Sequence, residues 1–275
     1  MGLNSAYYTK NSCYNQGMSM YLAIDIGATK TLIALFSQRG RVVRRAKFPT
    51  AQGYKTFLSD LSRHLSGFQK YPISSIVVAV PGVVQKNYTV SFGNRNWGEI
   101  DLGTPIKSLF SCPLYFENDA NLAALYEGHS LAGRAVFLTF STGIGGGVTD
   151  DGKLLADVTF EPGHRKYLYN GKTKEWEDIA AASAIGKYYH VDTATDLRKK
   201  DILQDIADRI YLGLPDIVEE FHPKVIILGG PMGKVFRLYS KYLPKIPGVR
   251  YVRPKRPLES VIYGCYIYAR QKERE

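Results

Sequence analysis

Asp119 is the residue of this chain best placed to act as a base. It lies in PLYFENDANLAALYEG, Pro113 to Gly128, where a short apolar strand (Leu114-Tyr115-Phe116) opens at Glu117-Asn118-Asp119 into an Ala/Leu-rich helix ending near Gly128. A carboxylate at the carboxyl end of a strand in an α/β sheet points into the crevice where such sheets bind ligands, a natural place for a general base. Taken alone, Asp119 reads as a helix cap, because Asp and Asn are favoured at helix N-termini. Two glycine-rich turns change that balance.

The first turn is Asp25-Ile26-Gly27-Ala28-Thr29-Lys30-Thr31, between two apolar runs. Gly27 permits close backbone approach to an anion, Thr29 and Thr31 offer hydroxyls and Lys30 a point charge, which suits a phosphate tail; Asp25 could hold Mg²⁺ through water. An ordinary β-turn is the competing reading. The second turn, Ser141-Thr142-Gly143-Ile144-Gly145-Gly146-Gly147, carries four glycines in five residues. Their conformational entropy makes sense where backbone N–H groups must meet a phosphate. A third corner, Gly229-Gly230-Pro231-Met232-Gly233, either shapes an adenosine site or is a tight βα turn.

The elements that must position these residues can be read in order. Residues 21–26 and 31–37 form a hairpin, 42–48 completes a meander, 54–69 is a helix with Phe57, Leu61, Leu65 and Phe68 at helical spacing, and 75–80 is a buried strand stopped by Pro81-Gly82. After a loop through Gly93 to Trp97 and the Asp119 strand and helix, residues 135–140 give another strand, followed directly by the second glycine turn. Residues 157–178 read as irregular. Helices are expected at 178–189, at 201–221 with a kink or split at Gly213 and Pro215, at 233–242 and at 258–270, with strands at 224–228 and near 249–252. The second half repeats the device of the first: strand, Gly/Thr turn, strand.

Composition bounds the class. The chain has 275 residues, is 45% hydrophobic and 22% charged, and carries a formal net charge of +11. That is a soluble globular composition, with room for one large or two ordinary domains and a surface field that draws anions. Three widely spaced cysteines (13, 112, 265) give neither a disulfide framework nor a zinc pattern, which fits a reducing cytoplasm. No apolar run approaches the ~20 residues of a membrane span, and residues 1–20 lack the order of a signal peptide and read as a poorly ordered extension. Apart from Arg250, Arg253, Lys255 and Arg256, the basic residues are dispersed, which argues against a nucleic-acid face.

DIGATKT, the Pro81-Gly82 corner, ENDAN at 117–121, STGIGGG, Glu161-Pro162-Gly163-His164 and LGGPMG stand in the order seen in sugar kinases of the ROK family. The resemblance covers nearly everything from Tyr21 to Arg270. It implies an α/β, actin/hexokinase-like (ribonuclease H-like) two-domain fold around a cleft, with residues 21–117 and the terminal helix (258–275) in one domain and 118–257 in the other. It further implies a hexokinase- or glucokinase-type phosphotransferase in which Asp119 takes the proton from a hexose hydroxyl, usually the one on C6. Asn118, Gly143, Glu161, His164 and Glu177 would hold the sugar. Gly27, Thr29, Lys30, Thr31, Thr142, Gly143, Gly229 and Gly230 would face the donor, ATP or polyphosphate, with Mg²⁺ at Asp25. Many relatives are dimers, so a homodimer is compatible.

The chain departs from the family in one place. Many ROK kinases carry a Cys-rich zinc loop after the E-x-G-H motif, and residues 165–176 (RKYLYNGKTKEW) contain no cysteine, so no zinc is expected. In this the chain resembles the zinc-free polyphosphate-dependent glucokinases, and His164 must be held by other contacts. Sugar choice should depend on 165–176 and on the loop from Asn94 to Trp97. Fructose, mannose and N-acetylmannosamine are alternative acceptors. The rivals from other classes are a sugar-sensing repressor and an inactive sugar-binding protein. A repressor would carry a winged-helix domain ahead of the kinase-like part, whereas only 24 residues precede Asp25.

Overall fold

The computed structural model describes residues 19–84, 89–92, 97–155, 160–191 and 199–275. Residues 1–18, the bulk of the expected extension, and residues 94–96 of the expected specificity loop lie outside the described residues.

Runs of apolar residues too long to alternate build the first sheet. β1 (Met20–Ile26) pairs antiparallel with β2 (Lys30–Ser37), and β2 with β3 (Val42–Pro49). β1 and β2 are almost wholly buried because helices cover both faces. β3 is the edge, and exposed Arg44, Arg45 and Lys47 discourage pairing with another chain. Helix α1 (Tyr54–Ser66) buries Phe57, Leu61 and Leu65 on one face. β4 (Ile73–Val80) then runs parallel to β1. The stretch after Pro81 does more than loop: β5 (Gly82–Val84), β6 (Thr89–Phe92) and β7 (Glu99–Asp101) form a small antiparallel sheet, followed by the short helix α2 (Gly103–Lys107). β8 (Leu114–Asn118) returns beside β4, giving the order β3-β2-β1-β4-β8.

Helix α3 (Asp119–Gly128) buries residues around its whole circumference, from Ala120 and Leu122 to Glu127 and Gly128. A helix apolar all round belongs in an interior. Here it lies between two sheets, with Leu122 in the core beneath the first and Ala123 and Ala124 against the second.

The second sheet repeats the plan. β9 (Arg134–Phe140) pairs antiparallel with β10 (Ile144–Asp150), which pairs with β11 (Lys153–Leu154). A 3₁₀ turn (Pro162–His164) leads to a hairpin, β12 (Lys166–Tyr169) and β13 (Lys172–Glu175), where the sequence reading expected irregular chain. The hairpin turns on Asn170-Gly171, both at positive φ (50° and 73°), as a two-residue turn requires. The expected 178–189 helix is two helices, α4 (Trp176–Ala180) and α5 (Ala182–Tyr189), because buried Ala181 is extended and Ser183 donates its backbone N–H to the Ser141 carbonyl. The 201–221 helix splits as expected, into α6 (Lys200–Tyr211) and α7 (Leu214–Phe221) around Gly213, whose α-carbon packs on Trp176.

β14 (Val225–Gly229) runs parallel to β9. The next helix starts earlier and is broken: α8 (Gly230–Lys234), α9 (Phe236–Tyr239) and a 3₁₀ turn. β15 (Arg250–Val252) completes the order β11-β10-β9-β14-β15. The terminal helix α10 (Ser260–Lys272) begins two residues later than expected and returns to the first sheet, its Ile262, Cys265 and Ala269 packing with Tyr21, Phe36, Val77 and Ala79. Among the described residues no helix is long and apolar enough to cross a membrane.

Candidate active site

The carboxyl ends of β1, β4 and β8 stand side by side. Asp25 is level with Ala79 and Ala79 with Glu117, so the chain enters α3 two residues beyond that row, at Asp119. The cap is Asn118: its Oδ1 accepts from Ala120 N–H at 2.8 Å and Asn121 N–H at 3.3 Å, and its Nδ2 donates to the Gly82 carbonyl at 3.3 Å. Asp119 is thereby released from the capping role that its sequence position allows. Burial pushes the Asp119 carboxyl up to about 6, with the Glu161 charge adding and the Ala120 N–H opposing. Burial likewise pushes Asp25 up to about 7, with Asp119 adding and Lys30 opposing. A carboxylate whose proton affinity is raised by the charge of a second one shares a site with it, as Asp25 does with Asp119.

The turn after β1 is built from inside. Gly27 N–H donates to the Lys30 carbonyl, and Thr50 donates its hydroxyl to the Gly27 carbonyl at 2.8 Å. Thr31 is fully buried and hydrogen-bonded to Thr50 at 2.9 Å, so its hydroxyl braces the turn, whereas Thr29 and Lys30 are exposed. Thr50 is a supporting residue that the sequence reading missed; nothing in its local sequence marks it.

The second turn corrects the reading of its glycines. Only Ser141-Thr142-Gly143 is turn, closed by Ser141 N–H to the Gly143 carbonyl. Gly145, Gly146 and Gly147 lie within β10 opposite Thr139, Leu138 and Phe137. A Cβ on Gly146 would sit 2.3 Å from the Phe160 ring, and one on Gly147 2.7 Å from the Ala124 Cβ. These two glycines let Phe160 and α3 pack on the strand. At the third corner Gly230 has φ +67°, and a Cβ there would lie 2.6 Å from the Phe140 carbonyl oxygen. The corner is a tight βα turn packed on the strand end that leads to Ser141.

Glu177 joins the second turn to the E-x-G-H segment. Its Oε2 accepts from Ile144 N–H at 3.2 Å, and a Cβ on either Gly143 or Gly163 would lie 2.5 Å from that oxygen. Glu161 and His164 stand beside it. Burial raises the Glu161 carboxyl, with His164 opposing and Glu177 adding. The His164 imidazole is raised chiefly by its hydrogen bond to Glu175, 3.0 Å from Nδ1, against a desolvation penalty, with Glu177 and Glu161 adding. Among the described residues, His164, Glu175 and Glu177 are the trio whose ligand atoms lie within 4.8 Å of one another. Glu175 escaped the sequence reading, although Asn170-Gly171 is the hairpin signal that could have found its strand.

The structure therefore groups Asp25, Asp119 and Lys30 on one side and Glu161, His164, Glu177 and Gly143 on the other, with Asp119 and Glu161 in electrostatic contact between them. Trp97, by contrast, stacks on Phe57 of α1 at 4.9 Å and belongs to the first core. The basic cluster near the C-terminus is structural in part: Arg256 pairs with Glu259 at 3.0 Å and lies over the Tyr263 ring.

Two α/β sheets with the same strand plan, a buried helix between them and carboxylates at the strand ends are the actin/hexokinase-like arrangement. The model of the ROK family matches residues 21–257, and the chain belongs to that family. It is 28% identical to an N-acetylmannosamine kinase of Escherichia coli over 84% of this chain and 90% of that one. It is 27% identical to the xylose repressor of Bacillus spizizenii over 78% of this chain, spanning 65% of the repressor's length. A ROK family glucokinase from Streptomyces griseus, solved in complex with glucose and AMPPNP, shares the fold with a TM-score of 0.74 at 21% identity, covering 93% of this chain and 100% of that one.

Proposed function

We propose that this chain is a sugar kinase that transfers a phosphoryl group from ATP to a hexose hydroxyl, the C6 hydroxyl of glucose being the first candidate. The observation that carries the reading is the placement of Asp25 and Asp119 at the carboxyl ends of β1 and β8, on either side of β4, both raised by burial, Asp25 further by Asp119 and Asp119 further by Glu161.

Asp119 is the general base. A carboxyl near 6 is still largely ionised at neutral pH and is a stronger base than an ordinary aspartate, which favours accepting a proton from an alcohol as it attacks. Glu161 and Glu177 offer acceptors for sugar hydroxyls, and His164 offers Nε2, an acceptor in the neutral ring and a donor in the imidazolium that its neighbouring carboxylates favour. Thr29, Lys30 and the backbone of Thr142 and Gly143 face the donor phosphates, with Gly27, Gly229 and Gly230 setting the turns. Asn118 serves the site by capping α3, and Thr31 by bracing the first turn.

Asp25 fits Mg²⁺. Its carboxylate is an oxygen ligand buried within electrostatic reach of the Asp119 carboxylate, and a cation there would offset the charge of both. Bound there, the ion would neutralise charge on the donor phosphates. Domain closure on both substrates would exclude water and limit wasteful hydrolysis.

The xylose repressor among the relatives keeps a regulatory reading open, and polyphosphate remains an alternative donor. Incubation with each hexose of a panel plus Mg-ATP or Mg-polyphosphate, with products read by ³¹P NMR, separates them. A sugar 6-phosphate supports the kinase and names the donor. Sugar binding without any phosphorylated product would make the chain a sensor.

A further inference from the structure

From its seat against the 3₁₀ turn, we infer that Glu175 is a positioning residue that fixes the ring orientation and tautomer of His164, so that Nε2 is the nitrogen presented to substrate. The inference rests on the sugar-binding role proposed above for His164.

His164 has no cysteine-rich loop to hold it, and its side chain is 62% exposed. An exposed imidazole with free rotation about two bonds is a poor reader of hydroxyl groups, because ordering it costs side-chain entropy at each binding event. Glu175 removes that freedom. Its Oε2 is 3.0 Å from His164 Nδ1, and a carboxylate only accepts, so the proton between them belongs to Nδ1 and Nε2 is left free. The same logic fixes metal-bound histidines, whose second ring nitrogen is tied to a carboxylate.

Glu175 is itself firmly seated. It ends β13 opposite Lys166, and the next residue, Trp176, donates its backbone N–H to the Arg165 carbonyl at 2.8 Å. Trp176 is fully buried, edge-on to Phe140 at 5.5 Å, and its indole N–H donates to the Arg209 carbonyl at 3.0 Å. The carboxylate is thus carried on a hairpin strand locked to the second core, while the histidine sits on the short turn that follows Glu161. Two positions on from Glu175, Glu177 faces the sugar side of the same trio. One carboxylate orients the histidine, and the other, tied through Oε2 to the Ile144 N–H, keeps lone pairs for the sugar.

The test combines kinetics with imidazole spectroscopy on wild type, Glu175→Ala, Glu175→Gln, His164→Ala and the Glu175→Ala/His164→Ala double variant. Glu175→Ala should raise KM for the hexose by roughly tenfold, the size of one lost hydrogen-bond contribution, with kcat and KM for ATP little changed. Glu175→Gln keeps an acceptor and should restore most of the loss. The double variant should be no worse than His164→Ala. Long-range ¹H–¹⁵N spectra, with the His164 signal identified by its absence in His164→Ala, should show Nδ1–H in wild type and a shift toward Nε2–H in Glu175→Ala.

Independent, multiplying effects of the two alanines, or a tautomer unmoved by Glu175→Ala, would overturn the inference. So would a His164 signal that collapses on addition of a chelator, because a cation would then be the holder. If wild type phosphorylates no hexose, the sugar role fails, and the spectra alone still decide whether Glu175 sets the tautomer.

Discussion

A Cβ on Gly264 of α10 would lie 1.9 Å from the carbonyl oxygen of Leu122 in α3. The helix that closes the chain therefore crosses the helix that carries Asp119 at backbone contact. Gly264→Ala must push the two apart, an overpacking change costing about 1–3 kcal/mol. Because α3 positions Asp119, turnover should fall more than sugar binding. Thermal denaturation together with steady-state kinetics checks both.

Glu127, at the other end of α3, is buried and accepts from the backbone N–H of Lys255 at 2.6 Å and of Arg256 at 3.1 Å and from the Ser260 hydroxyl at 2.6 Å. It thereby anchors the segment leading into α10. Glu127→Ala would strand these donors, with a loss of about 3 kcal/mol. Glu127→Gln, which can still accept, should lose less. Urea titration of both variants measures the difference.

Asp119 should trade stability for activity. Its folded pKa is raised from 3.8 to about 6, so the folded state binds the proton more tightly than the unfolded chain. Stability from this group is therefore greatest at low pH and is lost as pH rises from about 4 to about 6. Asp119→Asn removes the buried charge and should be more stable than wild type at pH 7–8, by about 2–4 °C in Tm per kcal/mol gained. That advantage should vanish near pH 4. Melting curves across the range test the sign.

The same shift sets the pH dependence of activity. With a base near 6, kcat/KM should fall below that pH with a slope of one, or more steeply if Asp25, near 7, must also be ionised. A flat profile between pH 5 and 8 would exclude Asp119 as the titrating base.

How much of this was legible in the sequence depends on whether a feature is local. The Asp119 strand and helix, the turn at Gly27 and the split at Gly213 are local patterns and stand where the sequence reading puts them. Gly146 and Gly147 were misread, because the Phe160 ring and α3 that demand them come from elsewhere in the chain. Thr31 looked like a phosphate donor until Thr50 closed over it. The β12–β13 hairpin was hidden because β13 is a polar run, Lys172-Thr173-Lys174-Glu175, and β12 turns its one aliphatic side chain, Leu168, outward while only tyrosines face inward, and with it went Glu175. Its Asn170-Gly171 turn was the surviving signal.

The most direct test of the central claim is the rate of hexose phosphorylation by Asp119→Asn beside wild type, with sugar affinity measured on the same samples by calorimetry. The expected result is turnover lowered by roughly 10²–10⁴-fold, the usual contribution of a general base, while the hexose still binds with an affinity of the same order. Turnover near the wild-type rate in Asp119→Asn would contradict the account.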